Sequence, residues 1–268
     1  LYSAFDGIWL YNIGCYGGAH AGQRPGPTHD HPFDTLSVVQ RAAANLCVAD
    51  RRILSIASYP IITMGRLIGE FYNLHKDEGI ALKLVEQRMQ QVIESVESGE
   101  AEIGFVMSNH AQAKELKHML HYKNLQFHML GADTWYANVG PYSPLYGQDE
   151  VTMQQLLQYP IVRLPDDYFS NLTHYLEIDG VRLIDHKRVI YVSDSAAILG
   201  LLRTTDVFRY GPGVSAADFA EYGVRTIPIR NCKVQISAGW LQRRRELLSP
   251  EAQSFIALLE RLYPGGQA

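Results

Sequence analysis

From residue 53 onward the apolar positions of the chain switch repeatedly between two periods. Ile53-Leu54-Ser55-Ile56-Ala57 is a short apolar run of the kind that forms a buried strand. Residues 61–75 then place Leu67, Ile68, Phe71 and Leu74 on one helical face. Ile80–Val85 reads as a second strand. Residues 87–98 read as a helix, with Met89, Val92, Ile93 and Val96 aligned and Gly99 just beyond. Ile103–Met107 is a third strand. A βαβαβ run predicts a parallel sheet covered by helices, because parallel neighbours need a crossover long enough to hold one.

A second alternation begins near Asp133. Strands are predicted at 135–139, 161–163, 189–192 and 207–210, and helices at 151–158, 167–176 and 195–203. Strands at 224–229 and 233–238 precede a last helix at 250–263, with Ser249 placed to cap it and Pro250 to begin it. Ahead of the first strand, Leu36, Val39, Ala43, Leu46 and Cys47 fall at helical spacing with no Gly or Pro between them. This predicts one amphipathic helix over 35–50 whose apolar stripe needs a partner. Residues 1–34 differ again, with Gly17-Gly18 and Arg24-Pro25-Gly26-Pro27. They predict a short helix over 2–13 and a loop over 22–32.

Composition narrows the class. A net charge of −4 argues against binding nucleic acid over the whole surface. Cys15, Cys47 and Cys232 are odd in number and form no CxxC, which fits a reducing, cytoplasmic compartment. No apolar run is long enough for a membrane span, and the first 20 residues lack a signal-peptide pattern.

Candidate chemistry lies at the strand ends. If the first three strands take the order 2-1-3, a ligand is expected outside the carboxyl ends of the first and third. There the chain offers Ser58-Tyr59-Pro60 and Met107-Ser108-Asn109-His110, and the second run offers Ser193-Asp194-Ser195 where a helix opens. Ser, Asp and Asn at helix starts serve as caps more often than as ligand contacts, and Asp194 would repel an anionic ligand unless it is turned into its own cap. His29-Asp30-His31 and the pair His118 and His121 fall short of a metal ligand set and are read as solvated side chains. Arg243-Arg244-Arg245 is read as a solvated strand end. Tyr59, Tyr136, Tyr142 and Tyr210 are able to meet a ligand by ring and hydroxyl. GxSxG, P-loop and HExxH patterns are absent, so the chain reads as a non-enzyme without a cofactor.

Several stretches together resemble one family. Leu54-Ser55-Ile56-Ala57-Ser58 matches its first strand and turn, and Ser98–Phe105 its small-Gly-x-x-acidic-hydrophobic strand entry. Pro141–Leu145 resembles its x-His-Pro-Leu segment, and Val151–Val162 its hydrophobic-Thr to Pro-hydrophobic stretch. Gly239–Arg243 and Leu248–Ala252 match its terminal strand and helix start. In this order over residues 53–263 they resemble the regulatory domain of LysR-type transcription regulators.

The resemblance implies an α/β fold of two Rossmann-like lobes of periplasmic-binding-protein type II, preceded by a helical linker. Two crossover strands, near 126–132 and 224–229, would join the lobes. Residues 53–127 and 230–268 would form lobe I, and 132–224 lobe II. A small-molecule effector would sit between them, with Ser58, Tyr59, Thr63, Ser108, Asn109 and Ser195 as the positions carried over. Residues 35–52 would be the linker and dimerisation helix. Gly22–Thr28 is similar to the wing of a winged helix-turn-helix, which makes 1–34 either a remnant of that domain or an irregular segment. Residues 1–34 hold one basic residue of the Arg/Lys type, Arg24, against Asp6, Asp30 and Asp34, so DNA is expected to be bound through the full-length protein. A cytoplasmic homodimer or homotetramer is implied. The alternative is a periplasmic solute-binding protein of a transporter, which shares the two-lobed fold.

Overall fold

The computed structural model describes residues 52–264. The helix expected over 35–50, the wing-like stretch, the His29-Asp30-His31 cluster, Cys15 and Cys47 lie outside the described residues. The first half of the described chain forms β1 (Ile53–Ser58), α1 (Thr63–His75), β2 (Ala81–Glu86), α2 (Met89–Ser98), β3 (Ile103–Asn109), α3 (Ala113–Tyr122) and β4 (Leu125–Val139). Then come α4 (Met153–Leu156), β5 (Ile161–Arg163), α5 (Tyr168–Thr173), β6 (Glu177–Ile178), β7 (Val181–Arg182) and β8 (Val189–Tyr191). The chain ends with α6 (Ser195–Thr204), β9 (Phe208–Pro212), α7 (Ala216–Glu221), β10 (Arg225–Pro228), β11 (Gln235–Arg243) and α8 (Pro250–Glu260).

β2, β1 and β3 run parallel in that order, and β11 and then β4 add antiparallel strands. The strand order continues through β4 to β9, β5 and β8, and β10 also pairs with β4. β4 therefore serves two sheets. Leu125 to Thr134 pair with β11, and Trp135 to Val139 pair with β9. Residues 229–234 carry the chain back from β10 to β11. The result is two α/β lobes joined by two crossing segments: lobe I on β2-β1-β3-β11 and the first part of β4, lobe II on the rest.

The helix limits have local causes. The Ser249 Oγ accepts the Ala252 N–H at 3.1 Å, and Pro250 opens α8 where its missing N–H costs nothing. Asp194 caps α6 by accepting the Ala197 N–H at 2.8 Å, as the sequence suggests. α2 stops at Gly99, whose φ of 79° is strained for any residue with a Cβ.

Each sheet buries both faces. In lobe I, Leu54, Ile56 and Phe105 pack under α1 and α8 with Phe71 and Phe255. On the other face Val106 and Leu241 meet Val92, Ile93 and Leu120 from α2 and α3. Lobe II centres on Val139, Met153, Phe208 and Ile227 on one side and Val162, Leu202 and Phe219 on the other. Fully burying one such side chain contributes about 1.5–3 kcal/mol. One residue crosses the divide. Phe169 belongs to α5 of lobe II, yet it sits fully buried in the lobe I cluster with Met89, Val92 and Leu116.

Two surface features resolve as structural. Arg243 Nη1 donates to the carbonyls of Val96 and Ala101 at 2.6 and 3.1 Å, and Arg244 Nε donates to Leu125 O at 3.2 Å. Two members of the arginine cluster thus fasten strand ends. His118 and His121 lie on the exposed side of α3.

Candidate functional site

The lobes close on a cavity of about 160 Å³ beyond the carboxyl ends of β1 and β3. This is where the strand order reverses, the place such sheets use for ligands. Lobe I contributes Tyr59, Pro60, Met107, Ser108, Asn109 and Gln112 to the wall. Lobe II contributes Trp135, Arg163, Phe169, Arg209 and Tyr210.

Of the residues proposed from sequence, Tyr59, Ser108 and Asn109 line this cavity, and Ser58, Thr63 and Ser195 are not among its lining residues. Ser58 is fully buried, and its hydroxyl donates to the Tyr59 carbonyl at 2.8 Å. Thr63 and Ser215 share a hydrogen bond at 3.1 Å between the lobes. Ser195 gives its backbone N–H to Glu86 Oε2 at 2.7 Å and its hydroxyl to Glu86 Oε1. The expected helix N-terminus at α6 is real, but a carboxylate from the end of β2 in the other lobe occupies it.

Other contacts also bridge the lobes. Arg66 Nε donates to Asp218 Oδ1 at 2.6 Å, and this buried carboxylate holds the guanidinium pKa well above its ordinary value. Arg88 Nη1 donates to Asp166 O at 2.9 Å, and Arg209 Nη2 to Pro60 O at 2.9 Å. Gln112 bridges through one end of its amide and braces its own lobe with the other. Its Oε1 accepts the Asn109 N–H at 2.9 Å, and its Nε2 donates to Phe169 O at 2.9 Å. The structure is a closed arrangement, held at several points around one small cavity.

Sequence reasoning passed over Arg163, Arg209, Asn138, Gln112 and Trp135, all of which line the cavity. Arg163 ends β5, so the strand-end rule applied to the first lobe would have found it. Arg209 and Asn138 lie inside strands, and only the pairing of β4 with β9 brings them together.

Behind the wall lies an acid-sensitive pair. The Tyr210 hydroxyl is 2.8 Å from His186 Nε2 and 3.3 Å from Met153 Sδ. Burial, with the nearby Arg163 as a lesser cause, pushes the His186 pKa down to about 4, while Asp185 pulls weakly the other way. Between the ordinary histidine pKa near 6.5 and this value, the unfolded chain takes up a proton that the folded chain refuses, so stability falls as the pH falls. This residue alone is expected to remove about 3 kcal/mol between roughly pH 6.5 and 4. Urea unfolding of the wild type and of His186→Phe at both pH values checks this. The substitution should flatten that part of the profile, and an unchanged slope would assign the acid sensitivity elsewhere.

Two α/β lobes joined by two crossing segments, with a small cavity between them, define the periplasmic-binding-protein type II fold. The family described as the LysR substrate binding domain matches residues 50–263, and the chain belongs to it. It is the sensing part of a LysR-type transcription regulator. No curated protein matches the chain. Among solved structures, the effector binding domain of QuiR in complex with shikimate is 14% identical, with 80% of this chain and 98% of that chain covered and a TM-score of 0.53. A mutant of the regulatory domain of MetR, a LysR family regulator from N. meningitidis, is 15% identical over 78% of this chain and 93% of that one, with a TM-score of 0.50. A cysteine mutant of Corynebacterium glutamicum OxyR with hydrogen peroxide bound is 13% identical over 87% and 76%, with a TM-score of 0.52. At these identities the likeness shows the shared fold. The family is one of regulators rather than enzymes, and the transporter alternative is not favoured. Among the described residues no helix is long and apolar enough to cross a membrane.

Proposed function

We propose that this chain senses a small-molecule effector in the cavity between its lobes, and that the occupied, closed arrangement is relayed to DNA binding by the full-length regulator. The observation that carries this reading is the cavity itself, lined by both lobes at the switch point with a polar and aromatic wall. A ligand touching both lobes favours closure only by as much as it prefers that arrangement. Tyr59, Ser108 and Asn109 are proposed to contact the effector. Ser58, Thr63 and Ser195 act one step away, by fixing the Tyr59 turn and the lobe-to-lobe contacts. The two-lobe partition is kept with its boundaries moved, the first changeover to Thr134 and Trp135 and the second to residues 229–234, and residues 35–52 are read as the linker and dimerisation helix. The working protein is read as a cytoplasmic homodimer or homotetramer that binds DNA through its full-length form. No reaction and no cofactor are assigned to the cavity.

A thermal-shift screen of small acids, amino acids and aromatic compounds, shikimate included, tests the site. A compound present at about a hundred times its Kd should stabilise the chain by roughly 2.7 kcal/mol, a shift of several degrees. Ser108→Trp fills the cavity and should abolish the shift. A shift that persists in Ser108→Trp would place the effector elsewhere.

A further inference from the structure

We propose that the ligand of this cavity is a small carboxylate, about the size of a single six-membered ring, and that Asn138 and Arg209 receive its oxygens. The proposal rests on the effector reading above and adds the ligand class and two contact residues.

Charge comes first. The cavity wall holds Arg88, Arg163 and Arg209 against one carboxylate, Asp167. Asp167 is already engaged, its Oδ1 accepting the Ser170 N–H at 2.8 Å and its Oδ2 the Gln90 N–H at 3.3 Å. Arg88 and Arg163 have partners outside the cavity at Asp166, through Nη1 to its carbonyl and Nη2 to its Oδ1. Arg209, like Arg88, has only neutral partners: its one side-chain hydrogen bond among the described residues is to a carbonyl, Pro60 O. A half-buried guanidinium beside a cavity without an acidic partner is costly unless an anion joins it.

An amide donor stands next to it. Asn138 and Arg209 are directly opposite in the antiparallel β4–β9 pair, so their side chains share one face of the sheet. Asn138 lines the cavity and is fully buried. Its Oδ1 accepts the Thr226 hydroxyl at 2.8 Å, while its Nδ2 has no hydrogen-bond partner. A buried N–H left unpaired costs about 1–3 kcal/mol, so a native interior keeps one only where something meets it. The backbone makes room for it. A Cβ on Gly211 would stand 2.2 Å from Asn138 Nδ2, so glycine is what admits the amide here. One uncharged and one cationic donor, side by side with no acidic partner, recognise an anionic oxygen.

Size and shape complete the class. A cavity near 150 Å³ accommodates a benzene-sized guest, and this one measures about 160 Å³. Trp135, Phe169 and Tyr59 add flat aromatic surface to its wall. A ring or short branched chain bearing one carboxylate fits both requirements.

The test uses the whole chain and matched probes: benzoate against benzamide, and cyclohexanecarboxylate against its amide, by titration calorimetry. At least one acid should bind about tenfold or more tightly than its amide, the scale of a hydrogen bond to a charged group. Asn138→Asp, nearly isosteric, should weaken that acid by at least the same factor. Arg209→Gln is the second variant should Asn138→Asp fail to fold. Amides that bind as well as acids, with both blocked by Ser108→Trp, would overturn the anion inference and leave the effector site standing. Acid binding that survives Ser108→Trp would overturn the site as well. Acids that keep their affinity in both Asn138→Asp and Arg209→Gln, or no binding by any probe, would overturn the proposal.

Discussion

Replacing Phe169 with Ala is expected to open the lobes while leaving each one folded. Phe169 is fully buried, but its neighbours Met89, Val92 and Leu116 belong to the other lobe. Truncating a buried Phe to Ala costs about 3–5 kcal/mol. In an open molecule this side chain already leaves the lobe I cluster, so most of that cost falls on closure rather than on folding. A penalty of about 3 kcal/mol shifts the closed-to-open ratio by roughly a hundredfold or more. Small-angle scattering should show a larger radius of gyration, and any ligand that binds the wild type should lose a comparable factor in affinity. The Gln112 side chain bonds to the Phe169 carbonyl, a group the substitution leaves in place, so the cost of closure reports the lost ring packing. An unchanged radius with a lowered unfolding midpoint would make Phe169 an ordinary core residue.

Gly140→Ala is expected to cost about 3 kcal/mol or more of stability. A Cβ at Gly140 would stand 1.6 Å from Leu202 O and 2.5 Å from Leu202 C. These are backbone atoms of α6, so no rotamer change relieves the clash, and either the helix or the end of β4 must move. Overpacking against side chains costs typically 1–3 kcal/mol, and an immovable backbone places this case at or above the top of that range. The N-terminus of the same helix receives Glu86, so the displacement should also disturb closure. Urea unfolding gives the measurement, and a loss below about 1 kcal/mol would show that α6 shifts freely.

Much of the fold was legible because its signals are local. The parallel run from β1 to β3 and the caps at Asp194 and Ser249 depend on residues a few positions apart, and the structure has them where the periods place them. The polar stretch around His118 and His121 reads as a surface helix and is one, Ala113–Tyr122, while the short β6–β7 hairpin and α7 carry weaker periods and the sequence leaves them undescribed. Local periodicity marks only the last five residues of β4. Its first part, Leu125–Thr134, is expected near 126–132 from the resemblance alone, because it is stabilised by pairing with β11 more than a hundred residues away. The cavity followed the same division. Tyr59, Ser108 and Asn109 sit at strand ends and were found by rule. Ser58 shows how narrow that rule is, since one step along a strand reverses the direction of a side chain. Asn138 and Arg209 meet through strand register between distant segments, so they became visible only with the sheet assembled.

The double membership of β4 also limits what kind of movement the sensor has. A hinge built from a loop lets two bodies swing through wide arcs in several directions. Here the longer of the two connections changes partner between Thr134 and Trp135 without leaving the strand, so it joins the lobes as one continuous ribbon beside the shorter crossing at 229–234. A ribbon of this kind resists bending across its hydrogen bonds and yields mainly by twisting about its length. The lobes should therefore rotate like the ends of a torsion bar, through a small angle about a fixed axis. Amide exchange in β4 on either side of Thr134 would report that twist, and its protection should rise as the bar locks.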